Sequence, residues 1–68
     1  MQEGQKEDLT VAECKKRILV ELEQNGPANG PELIERLGVS DETISRAVWD
    51  LIDSGRIALD WNSKLDLV

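Results

Sequence analysis

The sequence predicts a mainly α domain in which a three-helix bundle is followed by a small C-terminal β-hairpin. Three observations predict it. Apolar residues recur at helical spacing in three segments, each preceded by a Thr, Asn or Ser able to cap a helix and each followed by a glycine. The second and third segments are joined only by Gly38-Val39, which leaves room for nothing but a tight turn. Beyond Gly55 the apolar period falls from 3.6 to 2: Ile57 and Leu59 alternate with Arg56, Ala58 and Asp60, and Leu65 and Leu67 with Lys64 and Asp66.

The first helix starts at Thr10, where Thr10-Val-Ala-Glu13 reads as a capping box, with Leu9 and Cys14 spaced as a hydrophobic staple. Val11, Cys14, Ile18 and Leu22 fall in one stripe with Leu19 on its flank, while Val20 stands alone on the polar face. The helix is expected to end near Gln24, because Asn25-Gly26-Pro27 offers a left-handed cap and then a residue that cannot continue it. Pro27-Ala28 is a stub of extended chain. Asn29 caps a second helix over about Gly30 to Leu37, with Pro31 in its first turn, Glu32 three residues beyond the cap, and Leu33, Ile34 and Leu37 as its apolar face. Ser40 caps the third helix, whose apolar positions are Ile44, Ala47, Val48, Leu51 and Ile52, and Gly55 closes it. Asp60-Trp-Asn-Ser-Lys64 has turn composition at Asn62-Ser63, so the two strands form a hairpin with one apolar face turned to the helices. Residues 1–8 carry a single apolar side chain, Met1, and are expected to be a disordered tail, leaving 9–68 as the domain.

With 68 residues there is space for one domain, and a chain this short buries only about 60% of its unfolded surface. The single Cys14 and the absence of histidine rule out an internal disulfide and any His/Cys metal spacing, so packing must hold the fold and no cofactor is expected. No apolar run approaches a membrane span, Ile18 to Val20 being typical, and the first eight residues lack the apolar stretch of a signal peptide. These features predict a cytoplasmic protein without membrane contact. No Cys/His or Ser/His pair is present, and Gly26, Gly30, Gly38 and Gly55 punctuate helices rather than forming a phosphate loop, so the chain is not expected to be an enzyme. Fourteen acidic against eight basic side chains give a net charge of −6, the opposite of the usual balance in nucleic-acid binders.

Residues 18–68, about three quarters of the chain, resemble the winged helix-turn-helix domains of bacterial and archaeal transcriptional regulators. The segment that carries the resemblance runs Leu33-Ile-Glu-Arg-Leu-Gly-Val-Ser-Asp-Glu-Thr-Ile-Ser-Arg-Ala-Val, continues with Leu51-Ile-Asp-Ser-Gly-Arg-Ile, and ends in the hairpin. The resemblance implies that the third helix enters a DNA major groove and that the hairpin, the wing, reaches an adjacent groove or the backbone. The groove-facing positions would then be Asp41, Glu42, Thr43, Ser45 and Arg46, with Asn62, Ser63 and Lys64 on the wing. The chain departs from the family's pattern in three places. Ile34 stands where a small residue is common, Asp41 and Glu42 where polar or basic residues are, and the wing tip carries Trp61 and Lys64 rather than an arginine.

Asp41 and Glu42 complement the helix macrodipole, each worth roughly 0.3 to 1 kcal/mol, and they fill a helix N-terminus that would otherwise attract phosphate. An acid can still accept from cytosine N4. Arg46 either contacts a base or phosphate, or pairs with Glu42 or Asp50 at i±4 for a few tenths of a kcal/mol. Lys15-Lys16-Arg17 fans around the first helix at about 100° per residue and makes no patch of its own. Arg36, Arg46, Arg56 and Lys64 are the cations expected near the DNA face, and each phosphate neutralised contributes a salt slope of about −0.9. So few contacts call for a homodimer or a larger host protein. Trp49 is expected to cap the edge of the core. Trp61, at the hairpin tip, either folds back over the sheet or stands out as an interface anchor. Two functions are therefore open: a DNA-binding domain acting through the third helix and the wing, or an acidic protein-interaction or assembly module that uses Trp61 and Trp49 and does not bind DNA.

Overall fold

A computed structural model describes residues 10–68. Five elements follow one another: α1 (Val11–Asn25), α2 (Gly30–Leu37), α3 (Asp41–Asp53), β1 (Ile57–Leu59) and β2 (Leu65–Leu67). The expected tail over 1–8, and Leu9 with its staple to Cys14, lie outside the described residues.

Local chemistry sets the helix boundaries. Thr10 Oγ1 accepts from the Glu13 amide at 3.1 Å, a cap worth about 1 kcal/mol, but the Glu13 carboxylate makes no return bond, so only half of the expected box forms. The complete box is at α2: the Glu32 amide donates to Asn29 Oδ1 at 2.8 Å and the Asn29 amide to Glu32 Oε1 at 3.0 Å. The Thr43 amide donates to Ser40 Oγ at 3.2 Å to start α3. At its far end the Gly55 amide reaches the Ile52 carbonyl at 3.0 Å and the Arg56 amide the Leu51 carbonyl at 2.9 Å, the paired bonds of a Schellman stop.

Two helix ends that look alike in sequence differ in structure. Gly38 ends α2 in the left-handed helical region, with φ 67° and ψ 38°, and donates to the Ile34 carbonyl at 2.8 Å. Gly26 ends α1 with φ 83° but ψ −171°, so it is not the left-handed cap expected; it is an extended, positive-φ residue. The cause is Pro27, whose ring crowds the preceding residue out of helical ψ values. α1 consequently runs through Asn25, a residue further than expected.

The core lies where the three apolar stripes meet. Cys14, Ile18 and Leu22 of α1 are buried against Ile44, Ala47 and Leu51 of α3, and Leu33 of α2 closes one side. Each large side chain buried here contributes roughly 1.5–3 kcal/mol. β1 and β2 pair antiparallel with Ile57 opposite Leu67 and Leu59 opposite Leu65. The Pro27-Ala28 stub anchors the hairpin, since Ala28 and Leu65 exchange backbone bonds of 3.1 and 2.8 Å that tie β2 to the α1–α2 connection. The hairpin's apolar face is covered only in part. Ile57 and Leu65 are buried, whereas Leu59 is 60% exposed and Leu67 38%. All four lie on one face by strand alternation, but the bundle reaches only one diagonal pair of them.

Candidate nucleic-acid interface

The outward face of α3 and the hairpin loop form the candidate surface. With Ile44, Ala47 and Leu51 turned to the core, the helical step directs Asp41, Glu42, Ser45, Arg46, Trp49 and Asp53 away from it, and all six are exposed. Neither of the i±4 partners open to Arg46 is taken up: among the described residues no carboxylate lies within 4.0 Å of it, and Asp50 instead meets Lys15 of α1 at 3.7 Å. Thr43 is half-buried and belongs to the cap, its Oγ1 accepting from Ser40 Oγ at 3.1 Å.

Asp60 builds the hairpin loop. Its Oδ1 accepts from the Asn62 amide at 2.8 Å and the Lys64 amide at 3.0 Å, while its own amide donates to the Lys64 carbonyl at 2.9 Å. A turn follows in which the Ser63 amide donates to the Asp60 carbonyl at 3.1 Å and Ser63 takes φ 61°, the pattern of a three-residue hairpin loop closed by a left-handed residue. Sequence reasoning misses Asp60, although an Asp opening a turn is the signal for an Asx motif. Asn62 and Ser63 are exposed at the tip, while Lys64 is half-buried beside α2. The Glu32 carboxyl is held below the usual carboxylate range, first by the hydrogen bond from the Asn29 amide and, against some desolvation, by the charges of Lys64 and Arg36. The wing's cation is therefore shared with the start of α2.

Two cations expected near this face are elsewhere. Arg36 Nη1 is 3.1 Å from Glu21 Oε2 of α1, and Arg56, past the Schellman stop, lines a depression with Ala12, Lys15 and Leu19 of α1. Lys15 and Lys16 both line that depression, and the fold brings Lys16 and Arg17 together with Arg36 along one shallow α1–α2 cleft. On the α3–hairpin side this leaves, among the described residues, Arg46 and Lys64.

The two tryptophans resolve differently from one another. Trp49 does not cap the core; it is 68% exposed, because it lies far around α3 from the buried stripe and the short hairpin does not fold over it. Trp61 does not fold back over the sheet; it stands fully exposed. Between α3 and the hairpin runs an open groove of about 220 Å³ lined by Val48, Trp49, Ile52 and Leu59, with Ser45 and Ser63 at its polar edges.

The sequence profile of the winged helix-turn-helix DNA-binding family matches residues 13–58, from the first turn of α1 into β1. The chain belongs to that family. In its terms α2 and α3 are the helix-turn-helix pair, α3 is the recognition helix, and the β1–β2 hairpin is the wing. Searches of curated proteins and of solved structures gave no significant match. Among the described residues no three His, Cys, Asp or Glu side chains gather as they would to hold a metal ion, and no helix is long and apolar enough to cross a membrane.

Proposed function

We propose that this winged helix domain binds duplex DNA through α3 and the wing, as the DNA-contacting part of a transcriptional regulator. The observation that carries the reading, beyond family membership, is the position of Arg46: exposed on the outward face of the recognition helix, with no carboxylate of the described residues within 4.0 Å. A guanidinium so placed has its donors available for a guanine edge or a phosphate. Ser45 beside it offers a hydroxyl to the same groove, and Thr43 holds the start of the helix. Asn62, Ser63 and Lys64 approach the backbone from the wing.

The charges make this a weak binder as a single copy. Two cations, Arg46 and Lys64, would give a salt slope of about −2, small beside that of a protein making many phosphate contacts. Asp41 and Glu42 oppose phosphate at the helix start and leave discrimination to base contacts, with cytosine N4 a suitable donor to either acid. Useful affinity follows if two copies act together or the domain sits in a larger protein, and a cytoplasmic setting without catalysis agrees with such a role. Fluorescence anisotropy of a labelled random-sequence duplex at low salt tests it. Wild-type protein gives salt-sensitive binding, and Arg46→Glu abolishes it with an unchanged circular dichroism spectrum; a folded Arg46→Glu of undiminished affinity would refute the assignment.

A further inference from the structure

We infer that the groove between α3 and the wing is a docking site for a short segment of a partner protein that presents bulky apolar side chains flanked by Lys or Arg. Trp49 and Leu59, which wall the groove, are 68% and 60% exposed, and Trp61, two residues on from Leu59 in the hairpin loop, is fully exposed. Two large apolar side chains left open on the walls of one groove, in so small a domain, are an interaction surface rather than scattered exposure. Exposed tryptophans are also the residues that most often anchor interfaces. At about 220 Å³ the groove admits one or two bulky side chains and falls below the roughly 300–1,000 Å³ of small-molecule sites.

Charge selects the occupant. By the helical step Asp41 falls between Val48 and Ile52 at the N-terminal end of the groove, while Glu42 and Asp53 fall about 20° and 40° outside Trp49. Asp60 follows Leu59 in sequence, its Oδ1 engaged by the Asn62 and Lys64 amides of the loop. Against these carboxylates the rim has Arg46, and Lys64, whose charge already acts on Glu32. The rim is thus net acidic around an apolar floor and complements a basic, apolar segment. A second copy would bring the same acidic rim, and each copy carries a net charge of −6, so self-association through this face is opposed. The inference rests on the groove alone and stands whether or not the face binds DNA. Since Ser45 lines the groove and Arg46 adjoins it, a docked segment and a duplex on α3 exclude each other.

The test is selection of a random 12-residue peptide library, displayed on phage, against the immobilised full chain, followed by synthesis of the leading peptide. The expected sequences carry a net positive charge and at least one Leu, Phe, Met or Trp. The synthetic peptide shifts the amide resonances of Ser45, Trp49, Leu59 and Ser63 and the Trp49 indole, and its affinity falls at least about tenfold in Trp49→Ala and in Leu59→Ser. Both side chains are exposed, so each variant keeps its fold, which circular dichroism checks. Absence of enrichment, enrichment of acidic peptides, resonance shifts confined to the Lys16–Arg36 cleft, or unchanged affinity in both variants overturns the proposal. A dimer by light scattering, with concentration-dependent shifts of the Trp49 indole resonance in the chain alone, overturns it in favour of a second copy.

Discussion

Replacing Gly26 and Gly38 by alanine, one at a time, separates two backbone states that the sequence makes look alike. A Cβ at either position meets nothing within 4 Å, so neither substitution costs anything through a clash and the backbone alone decides. At Gly38 the alanine can occupy the left-handed helical well already present, at roughly 1–2 kcal/mol, against which the unfolded chain loses about 0.4–1 kcal/mol of conformational freedom. The net destabilisation is about 1 kcal/mol. At Gly26 the combination of φ 83° and ψ −171° belongs to a region populated essentially by glycine, and Pro27 bars relaxation of ψ toward the left-handed well. The cost there is at the upper end of about 1–3 kcal/mol, so the net loss is about 2 kcal/mol. Urea denaturation followed by far-UV circular dichroism suits the measurement, since both tryptophans are exposed in the folded state and report little on unfolding. For an m-value of about 1 kcal/mol/M, the midpoint falls by about 1 M for Gly38→Ala and about 2 M for Gly26→Ala. A Gly26→Ala variant that is neutral, or milder than Gly38→Ala, would refute the reasoning about the pre-proline position.

Two further outcomes concern the wing and its neighbour. Ser63→Gly stabilises the protein by about 0.5 kcal/mol, because Ser63 holds φ 61° in the hairpin loop and glycine takes that conformation without strain; a rise in the urea midpoint checks it. Glu32 has a lowered folded-state pKa, so its charge contributes stability that is present above the unfolded pKa and disappears as pH falls through the folded one. Glu32→Gln, whose amide oxygen can still accept from Asn29, is therefore less stable than wild type at neutral pH. The gap closes as pH drops through and below the ordinary glutamate range, and a gap independent of pH would show that the charge contributes nothing.

The helices and their caps are legible in the sequence because they are set within a few residues. Asn29 with Glu32, Ser40 with Thr43 and Gly38 after Leu37 act locally, and the stripes of α1 and α3 bury the side chains that their spacing points inward. What depends on tertiary reach is not legible. The alternation of Ile57, Leu59, Leu65 and Leu67 gives the strands and their shared face but not how far the bundle extends beneath them, which leaves Leu59 uncovered. The same shortness of the hairpin leaves Trp49 in solvent. The pairing of Arg36 with Glu21, fifteen positions apart, and of Lys15 with Asp50 has no short-range signal, so only the structure places the cations available to the α3 face. Gly26 departs from expectation for a local reason: its positive φ follows from its place after a helix, but its ψ is set by the proline behind it.

Which face the proposed DNA binding would use is the central matter, because among the described residues Arg46 and Lys64 lie on the α3–wing side, while Lys16, Arg17 and Arg36 share the α1–α2 cleft. A ¹⁵N-resolved titration of the labelled chain with duplex DNA at low salt reads the two sides separately. Binding through α3 and the wing predicts shifts at Ser45, Arg46, Asn62, Ser63 and Lys64 that grow together and vanish as salt is added. Shifts confined to Lys16, Arg17 and Arg36, with the α3 and wing resonances unmoved, would contradict it.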